Sequence, residues 1–214
     1  VRFGHSYLGT VVGNPEHADH REREQTALNC RLLLDKISIF RNNGELDRNY
    51  VFSYNRNPLP PKNSSSTDHW GYYNVNSKST SDQTFHYAPS YYRTYRNSEG
   101  QIQTGIWKGI NKNSCSDRSQ YGVLTSIKFP TGAETHFEYE LNDFSNGFKD
   151  SADSLIRSGG GLRIKTICDL SDKGDTISVR TFAYTDETGK SSGTLMSVPE
   201  YHYKVCLLYT SDAA

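Results

Sequence analysis

The chain lacks net charge: its 214 residues carry 24 Lys and Arg against 24 Asp and Glu. Without an excess of cations it has little with which to neutralise phosphates, which excludes the nucleic-acid-binding class. It also lacks any apolar run near the roughly 20 residues that a bilayer-crossing helix needs. Cysteine is scarce, with four residues and no C-x-x-C pair, so a zinc site has no support. The G-x-S-x-G elbow is absent, and no Ser-His-Asp or Cys-His set is readable. Gly159-Gly160-Gly161 is followed by the strand-like Leu162-Arg163-Ile164 and not by a helix opening with Lys-Ser/Thr, so it is no phosphate loop. The three glycines read as a linker or a tight bend. On this reading the chain is not an enzyme, and no catalytic residue, metal or cofactor is assigned.

What is present is aromatic and polar. Aromatic residues make up 12% of the chain and 15 of them are Tyr, while Ser, Thr, Asn and Gly together number 74. This balance argues against disorder, which shows few aromatics and a large net charge. Tyr, Thr, Phe and Val suit a pleated, half-buried surface. Three segments share one pattern. Ile37, Gly44, Phe52 and Tyr54 recur as Ile167, Gly174, Phe182 and Tyr184, each 130 residues on. A shortened copy has Ile127, Gly132, Phe137 and Tyr139. Each reads as a β-hairpin, with apolar residues in period two on both arms and Asn43-Gly44 or Thr131-Gly132 tolerating positive φ in the turn. Isolated hairpins are marginal in water, so repeated ones are expected to pair edge to edge. The predicted fold is therefore mainly all-β: an antiparallel sheet of repeated hairpins with a loop-rich insertion. Ile37, Phe52, Tyr54, Ile127, Phe137, Tyr139, Ile167, Phe182 and Tyr184 are its expected core anchors.

Four regions follow. Residues 1–54 hold the first hairpin copy, residues 55–120 a loop-rich aromatic insertion, and residues 121–205 the second and third copies. The last nine residues, Cys206 to Ala214, resemble the translation of a transposase-derived sequencing adapter and are set aside as non-native. The chain is then expected to be an internal piece of a larger product, because Val1 to Tyr7 already alternates like a strand. Cys30, Cys115 and Cys168 remain. Residues 16–31 are charge-dense and read as a short helix or a solvated loop, and residues 143–158 as a loop.

Two constellations bear on binding. His17 and His20 stand three apart, so one helical turn would align them, but no third ligand lies at a diagnostic spacing. The segment Asp68-His69-Trp70-Gly71-Tyr72-Tyr73 is the other. Its rings Trp70, Tyr72 and Tyr73, beside Asp68 and His69, would serve as a stacking platform for a sugar or peptide, with Asp and Asn bonding hydroxyls, or else cap an open end of the sheet.

The hairpins carry a resemblance. Gly122-x-Leu124-x-x-Ile127-x-x-Pro130-Thr131-Gly132-x-x-x-x-Phe137-x-Tyr139-Glu140 resembles a variant YD repeat, with Glu140 where the eponymous Asp stands. Gly160-Gly161-Leu162-Arg163-Ile164, the Asp68–Asn74 segment and Ser191-Ser192-Gly193-Thr194-Leu195 resemble further signatures of the RHS/YD-repeat-like proteins of Bacteroidetes-type bacteria. The likeness spans roughly residues 28–205. It implies a large secreted or cell-surface protein whose hairpins build a sheet or shell. The partners it implies are the rest of the parent chain and a surface glycan or protein, with no nucleic acid and no membrane span in this piece.

Overall fold

The computed structural model describes residues 1–9, 19–75, 89–107, 109–149 and 155–201. Seven strands form one antiparallel sheet: β1 (Arg2–Leu8), β2 (Arg31–Phe40), β3 (Leu46–Tyr54), β6 (Leu124–Lys128), β7 (Glu134–Lys149), β8 (Leu155–Leu170) and β9 (Thr176–Thr181), in that spatial order. Between β3 and β6 the chain leaves the sheet. It forms a separate two-stranded hairpin, β4 (Tyr91–Arg96) with β5 (Ile102–Trp107), and a short helix α2 (Ser116–Ser119) before returning beside β3. Backbone bonds from Asn55 N–H to Val123 O and from Gly122 N–H to Asn55 O tie the two ends of this excursion together.

The three sequence copies are the hairpins β2–β3, β6–β7 and β8–β9. The first and third are congruent at an offset of 130. Ile37 pairs with Tyr50 as Ile167 pairs with Arg180, Ser38 with Asn49 as Cys168 with Val179, and both ladders shift register one pair before the turn. The hydroxyl of Tyr54 donates to Leu34 O at 2.9 Å, and that of Tyr184 to Ile164 O at 2.7 Å. Such a clamp ties the returning strand to the outgoing one independently of the ladder. The turns agree as well. Arg41 N–H bonds Glu45 O and Gly44 N–H bonds Arg41 O, and the same pair of bonds closes the turns at 129–133 and 171–175. Turns at 97–101 and 186–190 repeat it, so the motif also occurs outside the sheet copies. The fourth residue sits at a φ of 78–88° in all five turns, a left-handed conformation that glycine adopts without a Cβ penalty.

Cross-strand partners share a face. The ladder therefore lines up Phe3, Ile37 and Tyr50, then Phe52 with Ile127, then Phe137 with Ile167, in one apolar band across six strands. The opposite face is polar, with Ser38 bonded to Asn49 and Lys128 paired with Glu134 at 3.4 Å. Burial does not follow the two faces cleanly: Ser38 and Ser126 on the polar side are buried, and Phe3 in the apolar band is 66% exposed. The expected anchors Ile37, Phe52, Tyr54, Ile127, Phe137, Tyr139, Ile167 and Tyr184 are half-buried, and burial pushes the Tyr139 phenol above its ordinary value. Phe182 departs from expectation: it lies just past the end of edge strand β9 and is 39% exposed. Among the described residues the most buried apolar side chains are instead Leu8, Cys30, Leu33, Ile110, Phe148 and Ile156. These belong to the end of the sheet where residues 55–75 and 109–121 lie over it.

Two expectations are corrected. Residues 143–149 and 155–158 are not loop but the paired far ends of β7 and β8, each 16 residues long. Their polar sequence hides a strand because the region is irregular, with register shifts at Glu138, Leu141 and Asp143 that break the period of two. Gly159–Gly161 likewise lie inside β8 and are no linker. The charge-dense stretch resolves into a helix, α1 (His20–Asn29), opened by a capping box in which Asp19 and Glu22 bond each other's backbone N–H.

Candidate functional site

The aromatic segment 68–73 is organised by a buried carboxylate. Asp68 is 2% exposed. One of its oxygens accepts the backbone N–H groups of Trp70 and Tyr72, both at 2.9 Å, and the other accepts the Ser114 hydroxyl. Its own N–H donates to Tyr72 O, closing a tight turn around Gly71. Lys112, also buried, donates to the Thr67 hydroxyl at 3.1 Å. Burial lowers the Lys112 pKa, and the Asp68 charge opposes that shift. Asp68 thus has its bonding capacity taken up by the protein itself: it fixes a turn that points successive rings to different places.

Those rings diverge. Trp70 lies on the backbone of β8, where Cβ atoms at 159 and 160 would fall on its indole, and stands 5.9 Å from the Phe144 ring. His69 meets Trp70 and Phe148 edge-on and shares a 3.0 Å hydrogen bond with the Tyr201 hydroxyl. Tyr72 reaches over Gly161 and remains 41% exposed. Tyr73 tilts against Tyr121 with ring centres 5.7 Å apart. The glycines of β8 are therefore seats for aromatic rings. Nothing in a run of three glycines announces that, because the rings arrive from a segment some 90 residues earlier.

The five candidate residues do not form one platform. Trp70 borders a cavity of about 450 Å³ together with Asn142, Asp143, Arg163 and Tyr184. Tyr72 and Tyr73 border a separate cavity of about 270 Å³. At the first cavity Arg163 is the hub. Its guanidinium lies 4.1 Å from the Tyr184 ring centre and bonds Glu140 at 2.7 Å and Asp143 at 2.8 Å. Ser191 donates to the same Asp143 oxygen at 2.6 Å. Burial pulls the Asp143 pKa up, but the bonds from Ser191 and Arg163 and the Arg163 charge outweigh it and hold the carboxyl below its ordinary value. Chemically this is a closed network, each charge answered by another within the protein. Arg163 stands within the segment Gly160–Ile164, yet no spacing rule links it to Asp143 or Tyr184.

His17 lies outside the described residues, as do Cys206–Ala214; His20 opens α1 and is exposed. Among the described residues no group of three His, Cys, Asp or Glu side chains is placed to hold a metal, and no helix is long and apolar enough to cross a membrane. Compared with known proteins, the chain matches no family model, no curated protein and no solved structure.

Proposed function

We propose that the chain is a structural segment, without catalytic activity, of a large secreted or cell-surface protein of the RHS/YD-repeat-like kind. The observation that carries this reading is the congruence of the first and third hairpins: the same register, the same glycine turn and the same tyrosine clamp at an offset of 130 residues. A unit that recurs with its cross-strand bonds intact is a building unit, and such units gain stability by adding to a neighbour's edge. β1 and β9 are the two edge strands of the sheet and offer such edges. The test is the coding sequence on both sides of this piece. Further hairpins with Phe-x-Tyr eight and ten residues past a turn glycine, in a parent that begins with a secretion signal, are the expected finding. Flanks without such units overturn the reading.

A second reading, a surface module that binds glycan or protein through Trp70, Tyr72 and Tyr73, draws on the exposure of Tyr72 and on the cavity beside Trp70.

A further inference from the structure

The smaller cavity differs from the one beside Trp70 in that its cations are not paired with carboxylates among the described residues. Three cations border it, Arg31, Lys62 and Arg118. Among the described residues no carboxylate lies within ion-pair distance of any of them; their bonds go to neutral oxygens. Arg31 donates to Leu28 O and Asn29 O, Lys62 to Ala27 O, and Arg118 to the Tyr121 hydroxyl. The first two cap the carbonyl end of α1, which has no basic residue in its own last turn. That accounts for their position, and the negative end of the helix offsets part of their charge, but no carboxylate answers it.

Ser66 and Ser119 also line the cavity, but both are buried and their Oγ atoms are closed to it, so they shape its wall without offering a bond. The walls are tyrosine rings, Tyr73 tilted against Tyr121 with Tyr72 beside them. At about 270 Å³ the space lies at the small end of ligand sites and admits a single ring, not an oligomer.

We infer that this cavity binds a small anionic sugar, with its carboxylate or phosphate held by Arg31, Lys62 and Arg118 and its ring packed against Tyr72, Tyr73 and Tyr121. Three unpaired cations supply charge-assisted bonds to an oxyanion, and tyrosine faces pack against the apolar face of a sugar ring. The inference stands apart from the structural role: a sheet segment of a larger protein can carry this site or lack it.

Calorimetric titration in a low-salt buffer free of phosphate tests it. The probes are glucuronate, glucose 6-phosphate and, as the neutral control, glucose. Saturable binding of at least one charged sugar is expected, weakening as salt is raised, with no heat from glucose. The stronger of the two identifies the anion as carboxylate or phosphate. Arg118→Gln and Lys62→Gln are each expected to weaken binding tenfold or more, while Arg41→Gln, on a distant exposed turn, leaves it unchanged. Because Arg118 also stacks on Tyr121, the exposed Lys62 gives the cleaner arm: Lys62→Gln is expected to melt close to the parent and to bind more weakly. No saturable binding of either charged sugar, equal binding of glucose, or affinity unchanged in the Lys62→Gln and Arg118→Gln variants overturns the inference.

Discussion

Replacing Gly159 with alanine challenges the seat on which Trp70 rests. The residue has a φ of +142°, a region that L side chains rarely adopt. An added Cβ would lie 2.8 Å from Trp70 Cε3 and 2.6 Å from the Ser114 hydroxyl oxygen. The backbone strain is worth roughly 1–3 kcal/mol, and forcing a methyl into packed surroundings adds about 1–3 kcal/mol. The expected loss is therefore about 2–6 kcal/mol, a large share of the 5–15 kcal/mol typical of a domain. Urea unfolding followed by Trp fluorescence and far-UV circular dichroism measures it as a fall in midpoint at constant slope. A double-mutant cycle isolates the contact. Trp70→Ala alone is expected to cost about 3 kcal/mol, the low end for a large aromatic, because the ring is only half-buried. In the Trp70→Ala background the methyl at 159 no longer meets the indole, so that share of the packing cost is removed while the backbone strain and the Ser114 contact remain. A coupling of about 1–3 kcal/mol follows. Additive effects of the two substitutions, or a Gly159→Ala midpoint within error of the parent, would refute the view that Trp70 is seated on β8.

Burial separates two phenylalanines that hold equivalent places in the repeat: Phe52→Ala is expected to cost about 2–3 kcal/mol in urea unfolding, and the exposed Phe182→Ala less than about 1 kcal/mol. Tyr54→Phe and Tyr184→Phe each remove one hydroxyl bond to a backbone carbonyl, so each should lose about 1 kcal/mol, and clearly unequal losses would break the equivalence of the two hairpins. Asp143 has a carboxyl held below its ordinary value in the folded state. Its contribution is therefore fully present above the unfolded value, about 3.9, and is lost as pH falls through the lower folded value. The unfolding midpoint should accordingly drop below pH 4, and the drop should be shallower in Asp143→Asn.

The legible parts of this fold are those whose information is local. Ile37, Gly44, Phe52 and Tyr54 lie within 18 residues, and a hairpin is closed by its own turn, so period-two alternation and one glycine predict it. The same holds for the copy at 167–184. The far ends of β7 and β8 were not legible, because their register shifts erase the alternation that marks a strand. Nor was the fate of the aromatic segment. Asp68, Trp70 and Tyr72 read together as one candidate platform, but the Asp68 carboxylate bonds the two ring-bearing residues' own amides, and the rings part toward separate cavities.

By itself, then, the sequence determined the class and the repeat: antiparallel hairpins with a glycine turn and paired aromatics, in a chain with neither the charge of a nucleic-acid binder nor an apolar run long enough for a membrane helix. Tertiary structure decided what meets across long separations. It placed Trp70 on the glycines of β8 and Arg163 between Glu140, Asp143 and Tyr184. It also gathered Arg31, Lys62, Arg118 and three tyrosines around one cavity. Local propensity and periodicity are properties of neighbours along the chain, whereas a site is a property of neighbours in space, and only the folded sheet brings those together.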